Sequence, residues 1–99
     1  MKSVKISEYD LSPYIRELQL SAKTKEHAED ILVDVEQAGL MLRKTPESLM
    51  AAALYIACIL EKERRTQEAI SQVIGVSAST IQVNYRQLVK ELQIKSSST

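Results

Sequence analysis

Apolar side chains recur along this chain with a helical period. Thr24, Ala28, Ile31, Val35, Ala38 and Leu42 stand four, three, four, three and four residues apart, one face of a helix. The opposite face carries Glu26, Glu29, Asp30, Asp34 and Glu36, which reads as a solvated acidic surface. His27, the single histidine, lies among these acids and reads as an exposed helix residue, neither ligand nor base. From Leu49 to Leu60 twelve consecutive residues are apolar, which fits a helix buried on all sides at the centre of a bundle. Ile81, Tyr85, Leu88 and Leu92 then step by four, three and four. No segment sustains the alternation of a strand.

Proline and glycine punctuate this pattern. Ser12-Pro13 and Thr45-Pro46 each offer a hydroxyl N-cap followed by proline at the first helical position, where a missing N–H costs nothing. Gly39 and Gly75 stand near the ends of two helical stretches, where a left-handed residue is often needed. Five helices are predicted, near 13–20, 22–41, 46–62, 66–74 and 78–93. The expected domain runs over 12–94, after a polar lead-in (1–11) and before a fraying tail (95–99). The fold class is all-α.

Composition narrows the chemistry. Ninety-nine residues with 27 Ile, Leu and Val and no Phe supply one modest core. One Cys (Cys58) excludes an internal disulfide, and one Cys with one His makes an all-protein zinc site improbable. No nucleophile–base pair and no phosphate loop are present, so an enzyme has little support and no cofactor is expected in this domain. The twelve-residue apolar run is short of the ~18–20 that a membrane-spanning helix needs, and it lies mid-chain, unlike a signal peptide. A soluble monomer of a reducing compartment is expected. Formal charge is zero, but residues 1–42 carry 5 basic and 8 acidic groups, against 5 and 2 in residues 64–99. An anionic partner would meet the C-terminal third.

That third contains TQEAISQVIGVSASTIQVNYRQL at 66–88, which has the form of a helix-turn-helix. Ile70, Val73 and Ile74 face inward on its first helix. Small Ser71 stands four residues before Gly75, Gly75 and Val76 make the turn, and Ser77 caps the second helix. Ala78, Ser79, Gln82, Val83 and Arg86 form an outward strip, as a recognition helix offers to a major groove. Gln suits adenine, Arg suits guanine, and Val suits a thymine methyl. The candidate base-reading residues are Ser79, Gln82, Val83 and Arg86. Thr66 and Gln67, at a helix N-terminus, and Arg64 and Arg65 just before it, are candidate phosphate contacts, with Ser77 and Lys90. An ordinary helical hairpin with a capped turn would share much of this pattern. Tyr55 and Tyr85 fall on apolar faces and read as core; Arg43 and Lys44 read as a solvated loop.

The stretches SPYIRELQLS, AEDILVDVEQAGL, KTPESLMAAALYIACIL and RRTQEAISQVIGVSASTIQVNYRQLVKEL resemble the second cyclin-box repeat of archaeal transcription factor B, the counterpart of eukaryotic transcription factor IIB. The similarity covers about residues 12–92. AAALYIAC (51–58) and RRTQ…GVS…TI…Y (64–85) are its most specific pieces. The resemblance implies a five-helix cyclin-like bundle ending in a helix-turn-helix at 66–93. It implies a general initiation factor whose reading helix, here Ser77 to Arg86, enters the major groove upstream of the TATA box at the B recognition element. Arg64, Arg65 and Thr66 would be its backbone-side neighbours. The implied partners are promoter DNA and, through the full-length factor, TATA-binding protein and RNA polymerase. The implied location is the archaeal cytoplasm at the nucleoid, or the nucleus of a eukaryote.

Arg43 stands where that family has Gly, and Gln82 and Asn84 stand where its recognition helix often has basic residues. The family's zinc ribbon, reader segment and first cyclin repeat lie outside these residues. An excised domain is expected, with a stand-alone divergent protein as the other reading. A cyclin-fold module that binds protein and has lost DNA reading is the alternative function. Neutral charge with Gln82 and Asn84 favours it; the intact turn with Arg64, Arg65, Arg86 and Lys90 favours DNA.

Overall fold

The structure is a computed structural model describing residues 8–39 and 44–92. It contains five helices in chain order: α1 (Ser12–Leu18), α2 (Ala22–Gln37), α3 (Pro46–Leu60), α4 (Gln67–Ile74) and α5 (Ala78–Leu92). No strand occurs among the described residues, and the bundle is all-α and cyclin-like.

Helix α3 is the axis, and α2, α4 and α5 pack against it. Thr45 caps it, its hydroxyl accepting the Ser48 N–H at 3.2 Å, and Pro46 opens its first turn. Ten of its fifteen residues are buried. Ala51, Ala52, Ala53 and Ala57 are wholly inaccessible, so neighbouring backbones approach closely, while Leu49, Leu54 and Ile56 fill the space between. Each large aliphatic chain buried in this way contributes ~1.5–3 kcal/mol. Helix α2 covers α3 with Ala28, Ile31 and Val35, as the period predicts, and with Leu32, which lies off that period; Ala38, expected on the same face, is exposed just past the helix end. The helix ends at Gln37, short of the predicted 41, and is followed by Gly39 at φ 72°; positions 40 and 41, and Leu42 of the predicted face, lie outside the described residues.

The core has two parts. The larger joins α2, α3 and Leu88 of α5. The smaller gathers Leu18 of α1, Ala51 of α3, Ile70 of α4 and Ile81 of α5, beneath the helix-turn-helix. Ile74 touches both.

Several local readings are corrected. Ser12 is not the cap of α1: the helix starts one residue earlier, Leu11 is fully buried, and the Asp10 carboxylate accepts the Ser12 N–H at 3.0 Å. That bond holds the Asp10 carboxyl below the ordinary aspartate range. The lead-in therefore ends in the core: Leu11 belongs to the larger cluster, and Tyr9 packs against that cluster half-buried. Helices α1 and α3 are shorter than predicted because Gln19 (φ 56°) and Lys62 (φ 61°) take the left-handed conformation without being glycine. Both turns are closed by reverse bonds, Leu20 N–H to Ile15 O and Glu63 N–H to Cys58 O, each 2.9 Å.

His27 is also corrected. It is half-buried, and its Nδ1 lies 2.8 Å from Glu61 Oε2, tying α2 to the end of α3. Glu63, next along, accepts the Ser21 N–H at 3.0 Å and the Thr24 hydroxyl. The Thr24 bond first, and then the Ser21 bond, hold the Glu63 carboxyl below the usual glutamate value. Cys58 is buried, and burial pushes its thiol up to about 11.

Candidate nucleic-acid interface

The α4–α5 pair is built from its caps. The Thr66 hydroxyl accepts the Ala69 N–H at 3.0 Å and starts α4. Gly75 ends α4 at φ 88°, with its N–H on the Ser71 carbonyl at 2.8 Å. A Cβ at Gly75 would meet no atom within 4 Å, so the backbone angle, not crowding, calls for glycine. Ser77 starts α5: its hydroxyl accepts the Thr80 N–H at 3.2 Å and donates to Thr80 Oγ1 at 2.8 Å. Ile70 and Ile81 are fully buried between the two helices.

On α5, Ser79, Val83 and Arg86 are exposed and Gln82 is half-buried. Val83 is 62% exposed, the larger of two exposed big hydrophobics among the described residues. Gln67, at the first turn of α4, donates through Nε2 to Gln82 Oε1. Gln67, Glu68, Ala78, Ser79, Gln82 and Val83 line one shallow hollow between the two helices. Gln67 and Glu68 therefore share a surface with the reading strip; Glu68 is an exposed carboxylate there that the sequence reading did not single out. Its signal was available, since it lies one residue past Gln67.

The cations divide. Arg64, Arg86 and Lys90 are exposed, and their side chains make no hydrogen bond or ion pair among the described residues. Arg65 differs from the expectation of a phosphate contact, because its guanidinium is spent within the fold. Nε donates to Leu18 O at 2.9 Å, Nη2 to Gln19 O at 3.0 Å, and Nη1 to Arg64 O at 2.9 Å and Glu63 O at 3.4 Å. The rigid fork suits the unsatisfied carbonyls at the end of α1.

Asn84, counted above with Gln82 as a replacement for a basic groove residue, is turned inward. It is 5% exposed, and its Oδ1 accepts Lys44 Nζ at 2.9 Å. Lys44 thus spans from the start of α3 to the middle of α5, beside Ser77 and Thr80. Tyr55 and Tyr85 pack edge to face, centroids 4.9 Å apart, behind Gln82 and Arg86. That T-shaped contact favours a core role for both rings. The acidic face of α2 presents exposed Glu26, Asp30 and Asp34, with Glu29 half-buried and 3.9 Å from Lys25.

Among the described residues no three His, Cys, Asp or Glu side chains gather to hold a metal ion, and no helix is long and apolar enough to cross a membrane.

Comparison with known proteins adds the family. The family model described as "Transcription factor TFIIB repeat" matches residues 8–91. The chain is 41% identical over 92 residues to a transcription initiation factor IIB of Pyrococcus furiosus, covering 93% of this chain and 30% of that protein. It is 44% identical over 78 residues to a transcription initiation factor IIB of Sulfurisphaera tokodaii, covering 79% and 25%. With a transcription initiation factor IIB 1 of Thermoplasma volcanium it shares 40% over 84 residues, covering 85% and 27%. The chain spans less than a third of the length of these relatives. With its five helices, its helix-turn-helix and this match across nearly its whole length, the chain belongs to the TFIIB repeat family of transcription initiation factors.

Proposed function

We propose that this domain binds promoter DNA as part of a general transcription initiation factor, with α5 reading the B recognition element upstream of the TATA box. The observation that carries the reading is the strip Ser79, Gln82, Val83 and Arg86, where an exposed valine is flanked by side chains that hydrogen-bond base edges. Arg64, Thr66, Gln67, Ser77 and Lys90 rim the strip and would take phosphates. In the full-length factor, TATA-binding protein and RNA polymerase would share the assembly, in the archaeal cytoplasm at the nucleoid, with this domain a monomer.

Affinity of the isolated domain should be low. Among the described residues Arg64 and Lys90 are the free cations on the rim, so their share of the log–log salt slope should be about −1.8. Linkage to a second DNA-binding repeat would raise the effective concentration. The test is a gel shift at several salt concentrations, with upstream-element and scrambled duplexes, in the presence of TATA-binding protein. Preference for the upstream element, lost in Arg86→Ala, supports the reading. Equal affinity for both duplexes, unchanged by Gln82→Ala and Arg86→Ala, overturns it and favours a protein-binding module.

A further inference from the structure

We infer that the hollow where α3 and α5 begin holds one phosphate of the DNA backbone, with Lys44 as its cation, an inference that rests on α5 lying in a groove. Lys44, Thr45 and Ser48 at the start of α3 line it with Ser77, Thr80 and Asn84 of the α5 side, and among the described residues no carboxylate does. Lys44 Nζ makes one hydrogen bond, to Asn84 Oδ1 at 2.9 Å, and no ion pair among the described residues. Its charge therefore rests against a neutral amide and is left uncompensated.

The other donors in the hollow are also unused. A lysine ammonium can only donate, so the oxygen of Asn84 is the end that faces it and Nδ2 is the free end. Asn84 is 5% exposed, yet Nδ2 makes no hydrogen bond among the described residues. No buried side-chain nitrogen or oxygen among them lacks a partner, so Nδ2 opens onto the hollow that its residue lines. An amide sunk this deep, with its N–H groups turned into a cavity, calls for an acceptor there. Thr45 Oγ1 accepts the Ser48 N–H and keeps its own O–H to give. Ser77 and Thr80 share one hydroxyl bond, so whichever way it runs one O–H of the pair is left over. A cation with amide and hydroxyl donors and no acidic neighbour suits a phosphate, which brings negative charge and acceptor oxygens.

The place fits a duplex. Ser77, Thr80 and Asn84 step by three and four along one side of the reading strip, and the first turn of α4 meets α5 on the other, at Ala78 and Gln82. At about 100° per residue, Thr80 and Ala78 stand on opposite sides of Ser79. A helix lying in a major groove ~12 Å wide has a wall of phosphates on each side. Arg64 and Thr66 would meet one wall and Lys44 the other, so α5 would be held from both strands. Lys44 is already tied to a buried amide, so little side-chain freedom is lost when the phosphate arrives.

Salt dependence and single-phosphate neutralisation test the site, with the full chain titrated on upstream-element duplexes. Lys44→Gln keeps a donor to Asn84 Oδ1 without the charge. It should melt with wild type, and its log–log salt slope should be shallower by ~0.9, so that the wild-type advantage shrinks about threefold between about 50 and 200 mM salt. Lys44→Arg keeps the charge and should keep the slope. Asn84→Asp sets a carboxylate against Lys44; it should weaken all duplexes alike while the melting temperature holds or rises, which a purely structural Lys44–Asn84 bond would not produce. Methylphosphonate substitution removes the charge of one phosphate at a time. One position should weaken wild type and Arg64→Ala several-fold and leave Lys44→Gln unaffected. A Lys44→Gln protein with the wild-type slope and the wild-type methylphosphonate pattern overturns the inference, while the preference lost in Arg86→Ala still marks α5 as reader. Inorganic phosphate titrated into the protein alone, followed through the amide resonances of Thr45, Ser77 and Thr80, is the second arm. Saturable binding there with no methylphosphonate effect makes the hollow a site for free phosphate and overturns its assignment to DNA. Equal affinity for upstream-element and scrambled duplexes, with the Lys44→Gln slope change intact, removes base reading from α5 and supports the backbone contact by itself.

Discussion

Replacing Arg65 by alanine removes the fork that joins the α3–α4 connection to the end of α1. Two bonds cross to α1, at Leu18 O and Gln19 O, and a third at 2.9 Å holds the local turn at Arg64 O. Bonds from a charged donor contribute ~1.5–3 kcal/mol each when buried. Arg65 is half-buried, and the freed carbonyls would regain water, so ~1 kcal/mol each is the fitting scale. The total is ~2–3 kcal/mol. In a domain of this size that lowers the melting temperature by ~10–20 °C. Arg64→Ala removes an exposed chain with no partner and should change stability by no more than ~0.5 kcal/mol. Circular dichroism melts of both variants, beside DNA titrations well below the transition, read the two roles apart. Arg65→Ala should melt early yet keep the wild-type salt slope. Arg64→Ala should melt like wild type and flatten the slope by ~0.9. An Arg65→Ala protein that melts with wild type and binds with a flatter slope would refute the assignment of Arg65 to the fold.

Four further outcomes are expected. Glu63 has a lowered pKa in the folded state, so its bonds to Thr24 and Ser21 stabilise above the ordinary 4.5 and are lost as pH falls through that value toward the folded one. The stability gap between wild type and Glu63→Gln should therefore narrow on acidification below 4.5, and a gap that stays constant in urea titrations counts against the carboxylate's role. Ala53→Leu forces a side chain into a position with no exposure and should cost ~1–3 kcal/mol; an unchanged melt would mean that α3 is not the axis. Glu68→Gln removes the acid beside the reading strip and should tighten binding to every duplex, most at low salt, with no change at high salt needed for the argument to hold. Cys58, buried and raised to about 11, should resist thiol reagents in the native state and react at the rate of opening, which timed labelling with and without denaturant would check.

Much of the frame was legible in the order of residues. Thr45-Pro46 and the alanine-rich run announced α3, and Ser77 after Gly75-Val76 announced α5, because caps and turns act over three or four residues. Long-range partners were not legible. Arg65 reads like Arg64 until the end of α1 is known to lie beside it, since a guanidinium serves phosphate and carbonyl equally well. Asn84 reads as a polar groove residue until Lys44 is brought over it from forty residues away. His27 gained Glu61 by the same kind of crossing. Gln19 and Lys62 hid two helix ends because left-handed turns without glycine leave no compositional mark, their cost being met by closure of the surrounding bonds.

The small second core gives the molecule an uneven grip on its own parts. Helix α4 has eight residues and one fully buried side chain, Ile70, whereas α3 is buried along most of its length. A free energy of ~1.5–3 kcal/mol from one isoleucine is small beside that of the whole domain, so α4 forms a weakly held cooperative unit. Its amide protons should then exchange with solvent through partial openings that leave α2 and α3 intact, which hydrogen exchange would read. In such an opening Gln67 leaves Gln82, and the hollow beside the strip disappears. A ligand seated across α4 and α5 selects the closed form, and it slows exchange in α4 far more than in α3. The surface offered for recognition is thereby held in part by a helix with few fully buried contacts, and occupancy and local order should rise together.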